Sequence, residues 1–383
     1  MPVTTKIKTT INGVQIDIGS IFQIDPLYTP PSAPQTLWSC GYNSYGELGL
    51  GDRIRRSAPI QVGSLTDWSK ISCGYHTGSA IKGNGTLWMC GYNGYGQLGD
   101  GTTTNKSSPI QVGALTNWSS TACGYFHTLA VKTDGTLWTW GKNNVGQLGD
   151  GTIAHKSSPI QIGLLTNWAK VAAGSECSYA IKTDGTLWVW GRNQFGQLGL
   201  GDITSRSSPV QVGSLTNWSR VDSQGVDAVA IKTDGTLWAW GRNNFGQSGL
   251  GDITQRSSPV QVGSLTNWSK IKIAGRHTAA IKTDGTLWTW GANSVGQLGD
   301  GTTTHKSSPI QIGALTNWSE VSANIAHSAF IRTDGTLWTC GYNYGGQLAL
   351  DHTISRSSPT QVGALTGWSA VSCGYNFNFF LRF

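Results

Sequence analysis

A Leu-Trp dipeptide returns every 50 residues along this chain, and no other feature of the sequence constrains the fold as strongly. Its tryptophans are Trp38, Trp88, Trp138, Trp188, Trp238, Trp288 and Trp338. The spacing never varies, so residues 34–383 form seven whole repeats and residues 1–33 lie outside them. A chain of 383 residues would otherwise suggest about two or three domains, but repeats of this size stack into one body. We therefore expect an N-terminal hairpin and Pro-rich linker over 1–33 and one repeat domain over 34–383.

Each repeat contains four short β segments. Residues 130–141 have the pattern of two apolar strands joined by the turn Thr133-Asp134-Gly135. A glycine-rich loop covers 142–158, and two more short β segments follow at 159–163 and 166–172. Four strands per repeat are typical of a propeller blade, and seven blades lie within the usual range of about four to eight. The sequence predicts an all-β fold, a seven-bladed β-propeller of four-stranded blades.

Two further patterns concern the strand order and the closure of the ring. Strands next to a propeller axis are crowded, and one position is alanine in five repeats, which we interpret as the strand nearest the axis: Ala80, Ala130, Ala180, Ala230 and Ala280. Phe330 and Phe380 interrupt that series and predict a plugged or asymmetric channel. Residues 379–383 match 129–133, so the C-terminal strand is predicted to pair with residues 37–41 and to seal the ring.

The segment Leu137-Trp-Thr-Trp-Gly-Lys-Asn-Asn-Val-Gly-Gln-Leu-Gly149, with Pro159 ten residues on and Gly124-Tyr-Phe-His-Thr128 before it, resembles the regulator-of-chromosome-condensation repeat. The resemblance covers 34–383 and implies a seven-bladed propeller. The family contains a nucleotide exchange factor for a small nuclear GTPase alongside many unrelated interaction proteins, so the fold alone does not decide the function. The exchange factor's extra wedge has no room in repeats of constant length. Its basic tail is missing too, since only Lys6 and Lys8 are basic near the N-terminus.

Most positions are nearly constant between repeats, and the variation gathers just before one strand of each blade. Loops from all blades of a propeller converge at the mouth of its channel, so we predict that these variable triplets form a binding site there, with exposed side chains. The candidate binding residues are Tyr75, His76, Tyr125, His127, Glu176, Asp227, Arg276, His277, His327 and Tyr375. The alternative is sequence drift at solvated turns.

The same residues are the only candidates for chemistry. His127, His277, His327, Glu176 and Asp227 carry groups that ligate metals or transfer protons, but they lie on different blades and no spacing supports a site. We expect no enzyme activity, no cofactor and no metal.

The net charge of +7 is carried largely by two basic series, each with one member per repeat. A basic ring could hold phosphates or an acidic partner. The second series, which includes Lys132, stands two residues before an aspartate such as Asp134 in five repeats, so local pairing is the simpler account. We do not expect nucleic acid as a partner. Cysteines recur 33 residues apart, as in Cys40 and Cys73, and we favour reduced, packed thiols over disulfides.

Residues 1–33 contain a hairpin turn at Asn12-Gly13 flanked by alternating apolar residues. A two-stranded hairpin is not stable alone, so it must dock on the propeller or on a partner. The candidate tether residues are Ile7, Val14, Ile16, Ile18, Ile21 and Phe22, followed by a Pro-rich spacer over 26–34. A strap on its own ring and a tether to an assembly both fit this pattern.

The hairpin before the repeats, with the segment Asn12-Gly-Val-Gln-Ile-Asp-Ile18, also resembles phage virion appendage proteins that carry this repeat. Our first hypothesis is therefore a non-enzymatic binding, adhesion or structural assembly module, a virion component that recognises a protein partner or cell-surface ligand within a larger assembly. The alternative is an intracellular regulator that binds a protein partner through the propeller face, and a third is an enzyme with its site in the channel. No apolar run is long enough to span a membrane and no signal peptide is visible, so we expect a cytoplasmic or virion-associated protein.

Overall fold

Each of the seven repeats supplies four strands, two to one four-stranded antiparallel sheet and two to the next sheet. The structure is a computed structural model that describes residues 34–383 and the two short strands Lys8–Ile11 and Val14–Asp17. The chain divides into two units, Met1–Pro34 and Gln35–Phe383. In the first unit the two strands pair antiparallel, with Ile11 opposite Val14, which confirms the hairpin predicted at Asn12-Gly13.

The second unit is a seven-bladed β-propeller, as the sequence predicts. Blades 1 to 6 follow one another along the chain, and blade 7 combines the two ends of the repeat region. The first strands of blades 1 to 7 are Trp68–Cys73, Trp118–Cys123, Trp168–Ala173, Trp218–Asp222, Trp268–Ile273, Trp318–Asn324 and Trp368–Cys373. The second strands are Thr77–Lys82, His127–Lys132, Cys177–Lys182, Asp227–Lys232, His277–Lys282, His327–Arg332 and Phe377–Arg382.

The outer half of each blade is formed by two more strands. The third strands are Leu87–Gly91, Leu137–Gly141, Leu187–Gly191, Leu237–Gly241, Leu287–Gly291, Leu337–Gly341 and, in blade 7, Thr36–Gly41. The fourth strands are Lys106–Gln111, Lys156–Gln161, Arg206–Gln211, Arg256–Gln261, Lys306–Gln311, Arg356–Gln361 and Arg56–Gln61.

Blade 7 closes the ring. Its second strand, Phe377–Arg382, pairs antiparallel with Thr36–Gly41, with Leu381 opposite Leu37 and Phe377 opposite Gly41. Two strands of this sheet therefore come from the C-terminus and two from the start of the repeat region. The predicted pairing of the C-terminal strand with residues 37–41 is confirmed. Within residues 34–383, the second and third strands of every blade are paired on both sides, and the unpaired edge of the first strand faces the channel.

The prediction that the alanine series marks the strand nearest the axis is wrong. The first strands line the central channel, a cavity of about 230 Å³ whose wall includes Ser72, Ala122 and Ala172. Ala80, Ala130 and their equivalents lie on the second strands, whose side chains are buried between blades. Small residues do line the channel, as expected for the strands nearest the axis, but they are also required at the contact between neighbouring blades.

That contact explains why the second strands carry alanine. Ala130 packs in one apolar cluster with Trp118, Trp140 and side chains of blade 1 such as Leu87. The Trp118 and Trp140 rings meet edge to face at 5.9 Å, and the Trp140 Nε1–H donates to the backbone oxygen of Gln97 on the neighbouring blade at 2.8 Å. A residue larger than alanine at position 130 would collide with these indoles.

Phe330 and Phe380 are not plugs of the channel, which corrects the second expectation drawn from this series. Both are fully buried between blades, where each packs beside a cysteine that replaces the usual indole: Phe330 with Cys340, and Phe380 with Cys40. The Phe330 ring lies 5.6 Å from Trp318, in the position that a third-strand indole occupies in blades 2, 4 and 5. The larger side chain thus lies on the second strand instead of the third, so the contact between blades stays filled.

This exchange of volume makes a prediction for a double-mutant cycle. Phe330→Ala alone should cost about 3–5 kcal/mol by opening a cavity, and Cys340→Trp alone about 1–3 kcal/mol by overpacking. The double variant rebuilds the arrangement of Ala280 and Trp290 in blade 5 and should recover at least half of the summed loss. Denaturant unfolding of the four proteins measures this, and simple addition of the two losses would contradict the compensation.

Candidate functional site

Two sets of loops meet at one end of the propeller, and we call this end the mouth. One set is the turn between the first and second strands, residues 74–76 in blade 1 and their equivalents; the other begins after the third strand, residues 42–47 in blade 7 and their equivalents. Backbone hydrogen bonds join the turns of neighbouring blades, as from Tyr75 N to the Gly124 oxygen at 3.3 Å and from Ser175 N to the Gly225 oxygen at 2.9 Å.

Buried asparagines hold the second set of loops in place. In blade 1 the Asn93 Oδ1 accepts from the Leu98 backbone N–H at 2.9 Å, and its Nδ2 donates to Asp100 Oδ1 at 3.0 Å and to the Thr102 oxygen at 3.1 Å. Asn93 is fully buried, and its equivalents in the other blades repeat the bond to the residue five positions on. The mouth is therefore built on a rigid support.

Aromatic side chains cover the mouth over blades 7, 1 and 2. The Tyr75 ring lies 4.2 Å from Tyr375 and 4.6 Å from Tyr125, and it meets His76 at 4.4 Å. Tyr45 contacts His76 at 4.9 Å and is about one-third exposed. Burial, followed by the neighbouring Tyr375 hydroxyl, raises the pKa of Tyr75 to about 12, so the Tyr75 phenol stays neutral near pH 7. We call this surface the aromatic half of the mouth.

Further aromatic rings extend this surface outward. Tyr92 lies 5.1 Å from Tyr45 and 5.9 Å from Phe126, and Tyr95 lies 5.3 Å from Phe126. His76 is anchored below by Glu47, whose Oε1 is 2.9 Å from the histidine Nδ1 and whose side chain is fully buried. Glu47 takes the position that glutamine holds in the other six blades.

Charged side chains replace the rings over blades 2 to 5, which we call the cationic half. Glu176 forms salt bridges with both Lys142, at 2.7 Å, and Arg192. Arg242 lies over the Phe195 ring and Arg276 over the Phe245 ring, each at 5.6 Å. Among the described residues, the half-buried carboxylate of Glu176 thus pairs with two of the four cations of this half.

The structure brings together six of the ten predicted binding residues. Tyr75, His76, Tyr125, Glu176, Arg276 and Tyr375 lie in the mouth turns and are exposed or half-buried. The other four, His127, Asp227, His277 and His327, begin the second strands and are buried, so the expected exposure of these side chains is wrong. Each predicted triplet has two residues in the turn and a third in the strand, because the strand starts one residue earlier than the variation suggests.

The buried histidines link neighbouring blades. The Nε2 atoms of His127 and His277 lie 2.9 Å and 2.8 Å from the hydroxyls of Ser178 and Ser328, and that of His327 lies 2.8 Å from Asn378 Oδ1. Burial lowers the pKa of His127 and His277 to about 3 and that of His327 to about 4. These side chains are neutral at pH 7 and serve the scaffold.

Asp227 takes the histidine position in blade 4. Its Oδ2 accepts from Gln247 Nε2 at 3.1 Å, while its Oδ1 has no partner among the described residues. Burial raises the pKa of Asp227 to about 7, with the amide of Gln247 and the charge of Arg242 acting in the opposite direction.

Eight aromatic and cationic residues that follow the third strands also lie at the mouth but were not among the predicted binding residues. They are Tyr45, Tyr92, Tyr95, Lys142, Arg192, Phe195, Arg242 and Phe245. The signal was present, since positions equivalent to 42 and 45 vary between repeats as strongly as the predicted triplets. It was hidden because these residues precede the triplets by about 30 positions, and contact between the two sets arises only when the blade folds.

The lysines and arginines of the two basic series contact other groups of the propeller. Outer-loop members pair with aspartates, as Arg206 does with Asp202 at 2.6 Å and Arg256 with Asp252 at 2.6 Å. In the second series, Lys132 does not pair closely with Asp134; its Nζ lies 3.6 Å from the centroid of the Trp138 ring and 4.9 Å from that of Trp118. Cation–π contact, repeated around the ring, is thus the physical reason for this lysine.

The tether candidates remain predictions. Ile7, Ile18, Ile21 and Phe22 lie outside the described residues, and Val14 and Ile16 are described only as members of the strand Val14–Asp17. All seven cysteines are buried and free. Within the described part of the chain, no three His, Cys, Asp or Glu side chains cluster as a metal site would require, and no helix is long and apolar enough to cross a membrane.

Comparison of the sequence with protein families matches the regulator of chromosome condensation (RCC1) repeat in seven segments: 36–81, 84–131, 134–181, 184–223, 234–281, 284–331 and 334–381. The chain belongs to the RCC1 repeat family. A second description of the same repeat matches 118–147, 168–197, 269–297 and 318–347. The search of curated proteins gave no significant match.

Solved structures of RCC1-like proteins share the fold. Human WBSCR16 superimposes with a TM-score of 0.82 at 22% identity, covering 91% of this chain and 100% of that chain. Prp20p from Saccharomyces cerevisiae gives a TM-score of 0.79 at 19% identity, covering 91% and 92%. Yeast RCC1 (Prp20) bound to Kap60 gives 0.80 at 18%, covering 91% and 89%. At these identities the likeness shows the seven-bladed fold.

The buried histidines predict a dependence of stability on pH. The pKa of His127 is lowered from 6.5 in the unfolded chain to about 3 in the folded one, so the unfolded state binds more protons between these values and stability falls as the pH falls from 7 towards 4. His127→Asn should lower the melting temperature at pH 7 and make the remaining loss on acidification smaller.

His155→Asn is the matched control. His155 is exposed and its Nδ1 accepts from the Asn143 N–H at 2.9 Å, a role that Asn105 performs in blade 1. This variant should leave the melting temperature and its pH dependence nearly unchanged. An equal change in acid sensitivity for both variants, measured by thermal melts between pH 4 and pH 7, would show that His127 is not a source of the effect.

Proposed function

We propose that this propeller is a protein-binding module, without enzymatic activity, that recognises its partner through the mouth. The observation that carries the proposal is the cluster of tyrosines around Tyr75, which is accessible on a support of buried asparagines. Tyrosine is enriched in the energetic centres of protein interfaces because its ring buries a large area while its hydroxyl forms a hydrogen bond.

The family comparison supports this proposal. Prp20p was solved together with a study of its binding to Gsp1p and histones, and the same yeast protein was solved bound to Kap60. RCC1-like propellers of the same fold thus bind protein partners. These findings favour the regulator hypothesis, in which a protein partner binds the propeller face, over the virion component that we placed first, for which the comparisons give no support.

The central channel is a weaker candidate for a site of function. Its most polar wall contains Asp222 and Lys272, which form a salt bridge of 2.8 Å between blades 4 and 5. The second oxygen of Asp222 accepts from the Ile273 backbone N–H at 2.8 Å. Both oxygens of the carboxylate are thus used in joining two blades, which supports a structural role.

Photo-cross-linking in cells of the native source tests the proposal. A photoreactive phenylalanine analogue at Tyr45, in the mouth, should capture a protein of defined mass. The same analogue at Leu65, which is similarly exposed at the opposite end, is the matched control and should not capture it. Adding Tyr75→Ala and Tyr375→Ala to the Tyr45 probe should reduce the adduct about tenfold, since residues at the centre of an interface contribute about 2 kcal/mol or more.

If the Tyr45 probe captures nothing, or if Leu65 captures the same proteins as Tyr45, the mouth is not the recognition surface. Thermal melts of each variant establish that the propeller is folded.

A further inference from the structure

Two cations of the mouth have no carboxylate partner in the described part of the chain. In the outer loops, by comparison, three arginines pair with aspartates, as in the 2.5 Å contact between Arg56 and Asp52. In the cationic half, Lys142 and Arg192 share Glu176. Arg242 and Arg276 form no salt bridge with any residue in the range 34–383 that the structure describes. Two guanidinium groups of the mouth are therefore outside any salt bridge within residues 34–383, although the charge of Arg242 opposes the rise that burial causes in the pKa of the Asp227 carboxyl.

These two arginines are held in a similar way. The guanidinium of Arg242 lies over the ring of Phe195, and that of Arg276 over the ring of Phe245, so each rests on an aromatic residue of the preceding blade. Contact with a ring restricts the side chain. The Asn244 amide oxygen, in the orientation that satisfies both groups, accepts from Arg242 Nη2 at 3.1 Å and Nε at 3.3 Å. The remaining N–H donors of Arg242 and those of Arg276 stay available for a carboxylate. Bidentate hydrogen bonding to a carboxylate is the arrangement that best uses those donors.

The aromatic and cationic halves meet at Tyr125. Its ring lies 4.6 Å from Tyr75 in the aromatic half. Burial raises the pKa of Tyr125 well above its usual value; the charge of Asp227 raises it further, and that of Arg276 lowers it. The backbone N–H of Tyr125 donates to the Gly174 oxygen at 3.3 Å, so its turn adjoins the turn of blade 3 that carries Glu176. One bound segment of chain can touch both halves.

We infer that the mouth binds an acidic protein segment whose carboxylates pair with Arg242 and Arg276 and whose neighbouring apolar side chain packs on Tyr75 and Tyr375. This inference rests on the proposed function and adds the chemistry of the partner. A nucleic acid fits the surface less well. Non-specific binding of a polynucleotide depends on many phosphate contacts, and only two cations of the mouth are without a counterion in the described residues.

Peptide selection on the full-length protein tests this inference. Random twelve-residue peptides displayed on phage are selected on the wild type, and the enriched peptides are then synthesised and titrated. We expect Asp and Glu to be at least twice as frequent as in the unselected library. Their affinity should fall at least tenfold on Arg242→Glu/Arg276→Glu and less on Arg242→Gln/Arg276→Gln, which removes the charge without reversing it.

Arg220→Glu is the matched control, because Arg220 is an exposed cation on the strand Trp218–Asp222, outside the mouth loops. Affinity on this variant should stay within twofold of the wild type. Selected peptides without acidic enrichment, or with equal affinity for the Arg242→Glu/Arg276→Glu protein, overturn the inference. So does tighter binding of a fluorescent twelve-nucleotide oligothymidylate than of any selected peptide at about 0.15 M salt.

The same selection separates this inference from the proposed function. Neutral or basic peptides that lose affinity on Tyr75→Ala/Tyr375→Ala would overturn the acidic partner and leave the mouth as the binding surface. Peptides that bind this double variant as well as the wild type would overturn the mouth itself. Failure to enrich any peptide counts against both.

Discussion

The packing of one blade against the next is the interaction on which the rest of this structure depends. A four-stranded sheet cannot bury both of its faces alone, and in blades 2 to 5 the contact is filled by two indoles, such as Trp118 and Trp140, against a small residue such as Ala130. Hydrogen bonds cross the same contact, from the Trp140 indole to the backbone of Gln97 and between His127 and Ser178. Because the contact repeats around a closed ring, each blade is held from both sides, and the ends of the strands are free to vary.

Closure of the ring protects strand edges of the propeller from pairing with other chains. The pairing of Phe377–Arg382 with Thr36–Gly41 joins residues more than 330 positions apart and covers the strand edge that each end of the repeat region would otherwise expose. Departures from the repeat collect beside this closure, in the loop of blade 6 that packs against blade 7. Ala349 and Asp351 have positive φ angles of 60° and 59° where the other repeats have glycine, and Ala349 is accommodated because Cys40, rather than a tryptophan, packs beside it.

Much of the fold could be predicted from the sequence because a fixed period of 50 determines the number of blades, their strand content and the closing register. The strand nearest the axis could not be predicted, because small side chains are needed both at the channel and beside the indoles. Ala130 meets the second of these requirements. The coupled changes of Phe330 with Cys340 and of Phe380 with Cys40 distinguish the two requirements, because each pair exchanges side-chain volume at a contact between blades. For the site, variation located the turns at Tyr75 and Glu176, but it could not show that a residue such as Tyr45 would come to lie against His76.

The propeller is thus a rigid support for an asymmetric mouth. Tyrosines lie on one side, and Arg242 and Arg276, which form no salt bridge within residues 34–383, lie on the other. The most direct test is a crystal structure of the full-length protein with a bound partner segment obtained by selection. The account predicts that the segment crosses the mouth, with an apolar side chain on Tyr75 and Tyr375 and a carboxylate within hydrogen-bond distance of Arg242 or Arg276. A segment bound at the opposite end beside Leu65, or along the outer fourth strands, would contradict it.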